Sequence, residues 1–465
     1  MHKLIKISLA AALPALWAAG CSDFLKGGEL TNNPNVPVQG SATNSQLFIA
    51  IQTSNWSMNS SELAWAVAQW MQELYGAARQ QVGIYNYSGI TNATFDGDFQ
   101  YPYIGGGLVD IRQLQAQATA QNDLFYLGVA QVMEAWVMSQ TADQWGDIPY
   151  SQAVNYATYP TPVLDTQQSV YDSVENLLTT AIANITSGTG AGPGAADLAY
   201  GGSSAKWAAL AHTLKARIYL HMVPPGWATY AQVITEANQG IASSAGDFVA
   251  AYSSGSQFST NQWWQFMSQS GGTGRAGDMI ALNSTQLPAM LLAAGDPRYG
   301  EYFDSTNATN GFMSSYRLDP GFQQPLATWA ENQLILAEAT FQTSGAAAAL
   351  PFLQAEQNGW HVAAKWHNAL PGVAVAGAAS MAAIMNEKYI TMFQHVEVWN
   401  DWKRTCIPAL SKITTGTPNP LFPGIPARVY YGLTEQQTNS ANVPAPGTAP
   451  NIAFNSNDVL QGCGT

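Results

Sequence analysis

Apolar residues recur at three- and four-residue spacing in block after block of this chain, and that period limits it to a helical architecture. Leu63, Val67, Trp70, Met71 and Leu74 keep the spacing behind Ser60-Ser61, a suitable N-cap. Phe125, Val129, Val132 and Trp136 keep it next. Val170, Val174, Leu177, Leu178, Ala181, Ile182 and Ile185 follow a start at Asp165…Gln168 that has the form of a capping box. Trp207, Leu210, Leu214 and Ile218 follow Ser203-Ser204, and Tyr230, Ile234, Ala237 and Ile241 come after them. Leu334-Ile335…Ala339, then Leu350, Leu353 and Ala355, then Met381–Trp399 complete the series. Strand-like alternation is scarce, so the fold class predicted is mainly α. Several blocks fall into pairs with small residues between them, 204–222 with 229–243 and 330–342 with 346–358. Such pairs predict a tetratricopeptide-like scaffold of helical hairpins, although no 34-residue period runs through the chain.

Two stretches interrupt the helical pattern, at about 79–105 and 244–330. Both are rich in Gly, Ser, Asn and aromatic residues. Loops of this length in a compact protein usually carry function, and their aromatic content argues against disorder. Only 10% of the 465 residues are charged, against 47% hydrophobic and 11% aromatic, so Asn, Gln, Ser, Thr and Gly must cover much of the surface. The net charge is −13 and no basic patch is visible, which argues against a nucleic-acid partner.

The N-terminus has its own logic. Lys3 and Lys6 precede an apolar run from Ile7 to Ala19, closed by small residues. That is the layout of a secretory signal, and it is too short to span a bilayer. Ala-Ala-Gly-Cys, ending at Cys21, resembles a bacterial lipobox, in which the thiol is acylated and becomes the new N-terminus; Ala18 stands where Leu is commoner. The chain is therefore expected to comprise a lipoprotein signal peptide (1–20), a lipidated tether (21–45) and a single helical domain (46–465). No later stretch is apolar enough to cross a membrane. Cys406 and Cys463 remain, and two readings stand: a disulfide, which an oxidising compartment permits, or two buried thiols.

Catalytic chemistry is poorly supported. His2, His212, His221, His361, His367 and His395 show no metal-ligand spacing, and there is no phosphate loop, Gly-x-Ser-x-Gly or Cys-x-x-Cys. Asp96 and Asp98 flank Gly97 as in calcium loops, but further acids in register are missing. A glycosidase needs two carboxyls facing across a cleft, and nothing singles out one pair. No cofactor, metal or catalytic residue is implied. The inserts point instead to binding. Sugar rings present C–H faces that stack on Trp and Tyr, and hydroxyls that bond to Asn, Gln and Arg. Residues 252–275 supply Tyr252, Asn261, Gln262, Trp263, Trp264 and Arg275; residues 83–103 supply Tyr85, Asn86, Tyr87 and Tyr101. These are the candidate ligand-binding residues.

Six stretches, in order, carry a family resemblance. "TADQWGDIPYSQA" (141–153), "KWAALAHTLKARIYLHM" (206–222), "GDPRYGEYF" (295–303), "WAENQLILAEA" (329–339), "NEKYITMFQHVEVWNDWKRTCIP" (386–408) and "IPARVYYGLTEQQTN" (425–439) resemble signatures of the SusD/RagB family of outer-membrane nutrient-binding lipoproteins. Gly432 departs from the pattern, standing where Pro is expected after the tyrosine. Most of these residues read as scaffold: Trp145 and Tyr150 as packing, Asp147 as a cap, Glu331 and Glu338 as partners for Arg217, Lys403 or Arg404. The resemblance implies a surface-exposed, lipid-anchored protein of the outer membrane. Such a protein binds an oligosaccharide or similar oligomeric nutrient and delivers it to a TonB-dependent, SusC-like channel. Alternatives are a peptide- or glycopeptide-binding lid of the same transporter type and, further off, a cell-surface glycoside hydrolase.

Overall fold

The structure, a computed structural model, describes residues 41–256, 259–268, 274–304, 310–414, 424–444 and 463. The expected signal peptide, Cys21 and most of the tether lie outside the described residues. The chain divides into two units, Met1–Gln46 and Leu47–Thr465. In the first, the Thr43 N–H and hydroxyl both donate to Gln46 Oε1, at 2.9 and 3.1 Å.

The elements run in chain order from α1 (Asn44–Met58) and α2 (Glu62–Trp70) to β1 (Tyr75–Gly76), α3 (Gln80–Tyr85), α4 (Asp96–Gln100), α5 (Leu108–Ala120) and α6 (Leu124–Trp145). Then come α7 (Gln167–Thr186), α8 (Ser204–Met222), α9 (Tyr230–Ala237), β2 (Phe248–Ala250), α10 (Gln262–Met267), β3 (Met279–Leu282), α11 (Gln286–Ala294) and α12 (Arg298–Tyr302). The series ends with β4 (Asn310–Gly311), β5 (Gln324–Ala327), α13 (Trp329–Ser344), α14 (Ala346–Gly359), α15 (Met381–Thr391), α16 (Glu397–Thr405) and α17 (Leu433–Thr438). The protein is mainly helical with little sheet, as the period predicts.

Consecutive helices pack as hairpins: α6 on α7, α8 on α9, α13 on α14. Helix α8 also packs on α7, and α13 on α9 and α15, which joins the hairpins into one scaffold. The contacts are made by the residues that set the period. Ala216, Leu220, Val233, Ala237, Ile335, Leu336 and Ala339 form one buried cluster; Leu334, Ala337, Ala349, Leu353, Ile384 and Met385 form another. Each buried Leu or Ile contributes roughly 1.5–3 kcal/mol. Alanines on both sides of α13 let two helices approach it at once. Gly345, with φ at 82°, makes the one-residue turn into α14.

Local details correct several expectations. Helix α7 is capped by Thr166, whose hydroxyl accepts from the Ser169 N–H at 3.2 Å. Asp165 instead accepts from the Tyr150 and Ser151 N–H groups, at 3.0 and 2.7 Å. Asp147 Oδ1 accepts from the Gln167 N–H at 2.9 Å, so it steadies the start of α7, twenty residues on. Residues 381–399, expected as one helix, are broken between α15 and α16. Gln394 there has φ at 69°, its N–H donates to Glu73 Oε2 at 3.3 Å, and its carbonyl accepts from Gln324 Nε2 at 3.0 Å. Bonds to two distant segments hold a turn that local period cannot reveal.

The family-like stretches do scaffold work. Trp145 is buried and its indole N–H donates to the Tyr430 carbonyl at 2.8 Å. Arg217 is paired with Glu331 at 2.5 Å and Arg404 with Glu338 at 2.8 Å, both between helices. Cys406 and Cys463 are bonded, with Cα atoms 5.3 Å apart.

Candidate functional site

The segment just before the first insert joins the second insert through a small sheet. β1 pairs antiparallel with β3, Tyr75 opposite Ile280 and Gly76 opposite Met279, and β3 pairs with β4. Gly76 is needed there, because a Cβ would fall 2.2 Å from the Gln81 carbonyl and 2.7 Å from the Tyr85 Cβ. The pairing sets Asp278, from the second insert, beside Arg79, from the first. Asp278 is buried and accepts from both Arg79 Nη1 and Arg275 Nε, each at 2.7 Å. One carboxylate thereby fixes two guanidinium groups from different inserts.

A layered stack stands beside this pair. The Arg275 guanidinium lies 4.6 Å over the Phe266 ring, and that ring lies 4.2 Å from Trp65 of α2. Trp65 donates its indole N–H to the Ser60 carbonyl at 2.8 Å. Trp65, Trp264 and Tyr75 remain half-buried, so part of each ring is open. The Arg79 side chain is 60% exposed and has donors to spare beyond its bond to Asp278. Partly exposed rings beside fixed guanidinium donors suit a ligand that offers C–H faces and hydroxyl acceptors together.

The predicted site residues are not all available to a ligand. Trp263 is fully buried, with its ring edge-on to Trp65 at 6.3 Å, so it is a packing residue. Asn261 is also buried: Oδ1 caps α10 through the Trp263 N–H at 2.8 Å, and Nδ2 donates to the Phe322 carbonyl at 3.2 Å. Tyr252 pins its insert to the α1–α2 corner, its hydroxyl 2.6 Å from the Ser60 hydroxyl. Tyr85, Asn86 and Tyr87 are buried. Tyr85 packs on Tyr75 at 4.6 Å, and Asn86 Oδ1 accepts from the Ser88 N–H and hydroxyl, at 3.1 and 2.7 Å. Tyr87 receives the Ile413 N–H at 3.3 Å. Trp264 and Gln262 on α10, and Arg275 beside Asp278, keep partial exposure, and Tyr101 is exposed elsewhere on the first insert. Sequence reasoning missed Trp65, Tyr75, Arg79 and Asp278. Trp65 carries a signal in hindsight, since it lies off the apolar stripe of Leu63, Val67 and Trp70.

Titratable groups near the junction are shifted by burial. Asp98 is pushed up to about 7, first by desolvation and then by Glu62. Glu62 is itself raised by burial, against the pull of Arg275. Asp96 and Asp98 do not form a calcium pair. Asp96 accepts from the Thr434 N–H and hydroxyl, at 2.8 and 2.7 Å, whereas Asp98 faces the Leu63 N–H on α2.

Among the described residues the fold assembles one trio of possible ligands that spacing hides: Asp143, His221 and Glu397. His221 Nδ1 lies 3.0 Å from Asp143 Oδ1, and Nε2 lies 2.6 Å from Glu397 Oε1. Burial opposes charge on the ring, but Asp143 and Glu397 outweigh it and push the pKa up to about 9. Both nitrogens therefore carry protons and bond to carboxylates, which leaves no lone pair for a metal. The trio ties α6, α8 and α16 together.

The fold is a helical-hairpin scaffold, beside which aromatic rings and guanidinium groups are gathered. The chain belongs to the SusD-like family: residues 34–432 match the family model described as "Starch-binding associating with outer membrane". Among curated proteins, none matches this chain. Solved structures share the fold. A SusD/RagB family protein from Bacteroides thetaiotaomicron is 20% identical with a TM-score of 0.66, covering 86% of this chain and 95% of its own. A SusD homologue from Bacteroides fragilis is 16% identical with a TM-score of 0.69, covering 90% of this chain and 100% of its own. A chitin-binding SusD homologue from Flavobacterium johnsoniae is 16% identical with a TM-score of 0.70, covering 90% and 99%. No helix among the described residues is long and apolar enough to cross a membrane.

Proposed function

We propose that this protein is a lipid-anchored surface receptor that captures an oligosaccharide at the insert junction and passes it to a TonB-dependent outer-membrane transporter. The observation that carries this reading is the Trp65–Phe266–Arg275 stack, with the half-open rings of Trp264 and Tyr75 and the spare donors of Arg79. Neutral, hydroxylated rings fit such a surface better than a charged peptide does. The chitin-binding relative supports the choice of a glycan. The protein acts by binding alone: the raised carboxyls Glu62 and Asp98 serve the packing of α2 against the first insert. Acylation of Cys21 supplies the anchor, since each buried methylene adds about 0.8 kcal/mol of membrane affinity.

Calorimetry with chito-, malto- and other neutral oligosaccharides tests the binding step. Trp264→Ala is expected to weaken the productive ligand by roughly 1–3 kcal/mol, the size of a base–aromatic stack, with the thermal melt unchanged. Binding that Trp264→Ala and Arg79→Ala both leave intact rejects the insert junction. Peptides bound in place of every glycan reject the ligand class. Gentle detergent extraction tests the transfer step: the protein should co-purify with a TonB-dependent barrel, through an interface on the order of 2,000 Å² or more as in permanent complexes.

A further inference from the structure

A cavity of about 280 Å³ lies where residues 242–247 meet the start of α13 and the end of α14, and it shares no residue with the insert junction. Trp329, Trp360 and Trp366 stand in its wall. Trp360 and Trp366 are buried and meet edge to face, centroids 5.3 Å apart at 83°. Trp329 is half-buried and supplies the more open ring. It lies so close to Gly359 that a Cβ there would fall 2.5 Å from it. Asp247 fixes the arrangement. It accepts from the Trp329 backbone N–H at 2.7 Å and from the Trp366 indole N–H at 2.9 Å.

The wall also carries two polar groups with capacity left over. Glu356 Oε1 accepts from the Trp360 indole at 3.0 Å and the Thr391 hydroxyl at 2.8 Å, while its buried Oε2 has no partner. Glu356 is 0% exposed, and burial, reinforced by Glu387, raises its pKa well above the usual range, which favours the protonated carboxyl. His367 Nδ1 lies 2.9 Å from the Asn368 carbonyl and must be the protonated nitrogen. Burial lowers the pKa of this ring, so in its neutral form Nε2 is an acceptor.

Size, charge and shape then select a ligand. The volume falls just below the range of about 300–1,000 Å³ usual for drug-sized ligands, which suits one ring and not an oligomer. Asp247, pushed up to about 7 by burial, has both carboxylate oxygens engaged by the Trp329 and Trp366 N–H groups, so the wall offers no unpaired charge and an ionic ligand would be desolvated without compensation. Indole surfaces beside one donor and one acceptor match a ring with C–H faces and hydroxyls. We propose that this cavity binds a single neutral pyranose ring, as a second glycan site that shares no residue with the insert junction. The proposal rests on the reading of this protein as a glycan receptor and adds a site to it.

Saturation-transfer NMR on the full chain tests it, with methyl β-D-glucopyranoside and its 2-acetamido counterpart as probes. Transfer to at least one probe is expected in the unmodified protein and in Trp264→Ala, with at least a tenfold loss of affinity in Trp329→Ala. Gly359→Ala displaces the Trp329 ring without removing it and should weaken the probe in the same way; thermal melts show that both variants are folded. The proposal is overturned if neither probe receives saturation, if transfer survives in both cavity variants, or if Trp264→Ala abolishes it. Preference for N-acetyltyrosinamide over both pyranosides would also overturn it and mark the cavity as a seat for a protein side chain. An oligosaccharide that binds and is lost only in Trp264→Ala, with no pyranoside signal, removes this second site and leaves the insert junction standing. Failure of every glycan removes both.

Discussion

Trp263 and Trp264 are neighbours on α10, yet one is sealed in the interior and the other keeps part of its ring in solvent. Nothing in their type separates them; the helix rotation between successive residues does. Trp263→Ala should therefore cost about 3–5 kcal/mol of stability, as for other buried large-to-small changes. The measurement is denaturant unfolding, and a loss below about 1 kcal/mol would contradict the packing role given to this ring. His221 supplies a second prediction. Its pKa in the folded chain, about 9, lies above its ordinary value, so protonation stabilises the fold. That contribution is complete below the unfolded pKa of about 6.5 and is lost as pH rises through about 9. It amounts to on the order of 3 kcal/mol. Melts between pH 6.5 and 10 should show the midpoint falling across that window, and His221→Gln should flatten the fall. A slope unchanged by the substitution would remove His221 as its source.

At the scale of elements, the hairpins follow from sequence period, and the joints between them do not. Helices α8, α9, α13 and α14 lie within two residues of the predicted blocks at most boundaries, because an i, i+3, i+4 pattern is a local property that packing merely reinforces. The break between α15 and α16 depends on Glu73 and Gln324, hundreds or tens of residues away. Gly432 is a case of the same kind. Read locally, it only loosens a turn where Pro is expected. In the structure a Cβ there would fall 2.5 Å from Asp96 Oδ1, the atom that receives the Thr434 N–H. Gly432→Ala should push Asp96 off the start of α17 and destabilise the contact between the first insert and the C-terminal segment by about 1–3 kcal/mol. Hydrogen exchange at the Thr434 amide reads this directly: faster exchange is expected, and an unchanged rate would show that the segment adjusts.

For the whole molecule, the bond between Cys406 and Cys463 closes a loop across 57 residues of sequence. By loop entropy a closure of that length is worth about 4 kcal/mol against the unfolded chain. A non-reducing peptide map of the protein should yield the two cysteines in one linked species, and reduction should lower the melting midpoint. Two separate thiol peptides would refute the linkage in the native protein. The bond fastens Cys463 beside α16, the helix that also supplies Glu397 and Arg404 to the inter-helix ion pairs. The disulfide and the ion pairs together tie α16 to the rest of the scaffold.

The sequence by itself determined the helical class, the hairpin pairing and the ordered signatures that place the chain in its family. Each rests on residues close together in the chain, or on motifs that need no knowledge of neighbours. The tertiary structure alone decided which inserted aromatics are open. Trp264 and Arg275 keep partial exposure, Trp263, Asn261, Tyr85, Asn86 and Tyr87 are spent on packing and capping, and Trp65, Tyr75, Arg79 and Asp278 enter from segments with no motif. The physical reason is that exposure and hydrogen-bond partners belong to pairs of distant segments. Asp278 can hold Arg79 only once β1 has paired with β3, and a stretch of loop without period gives no sign of where that pairing falls.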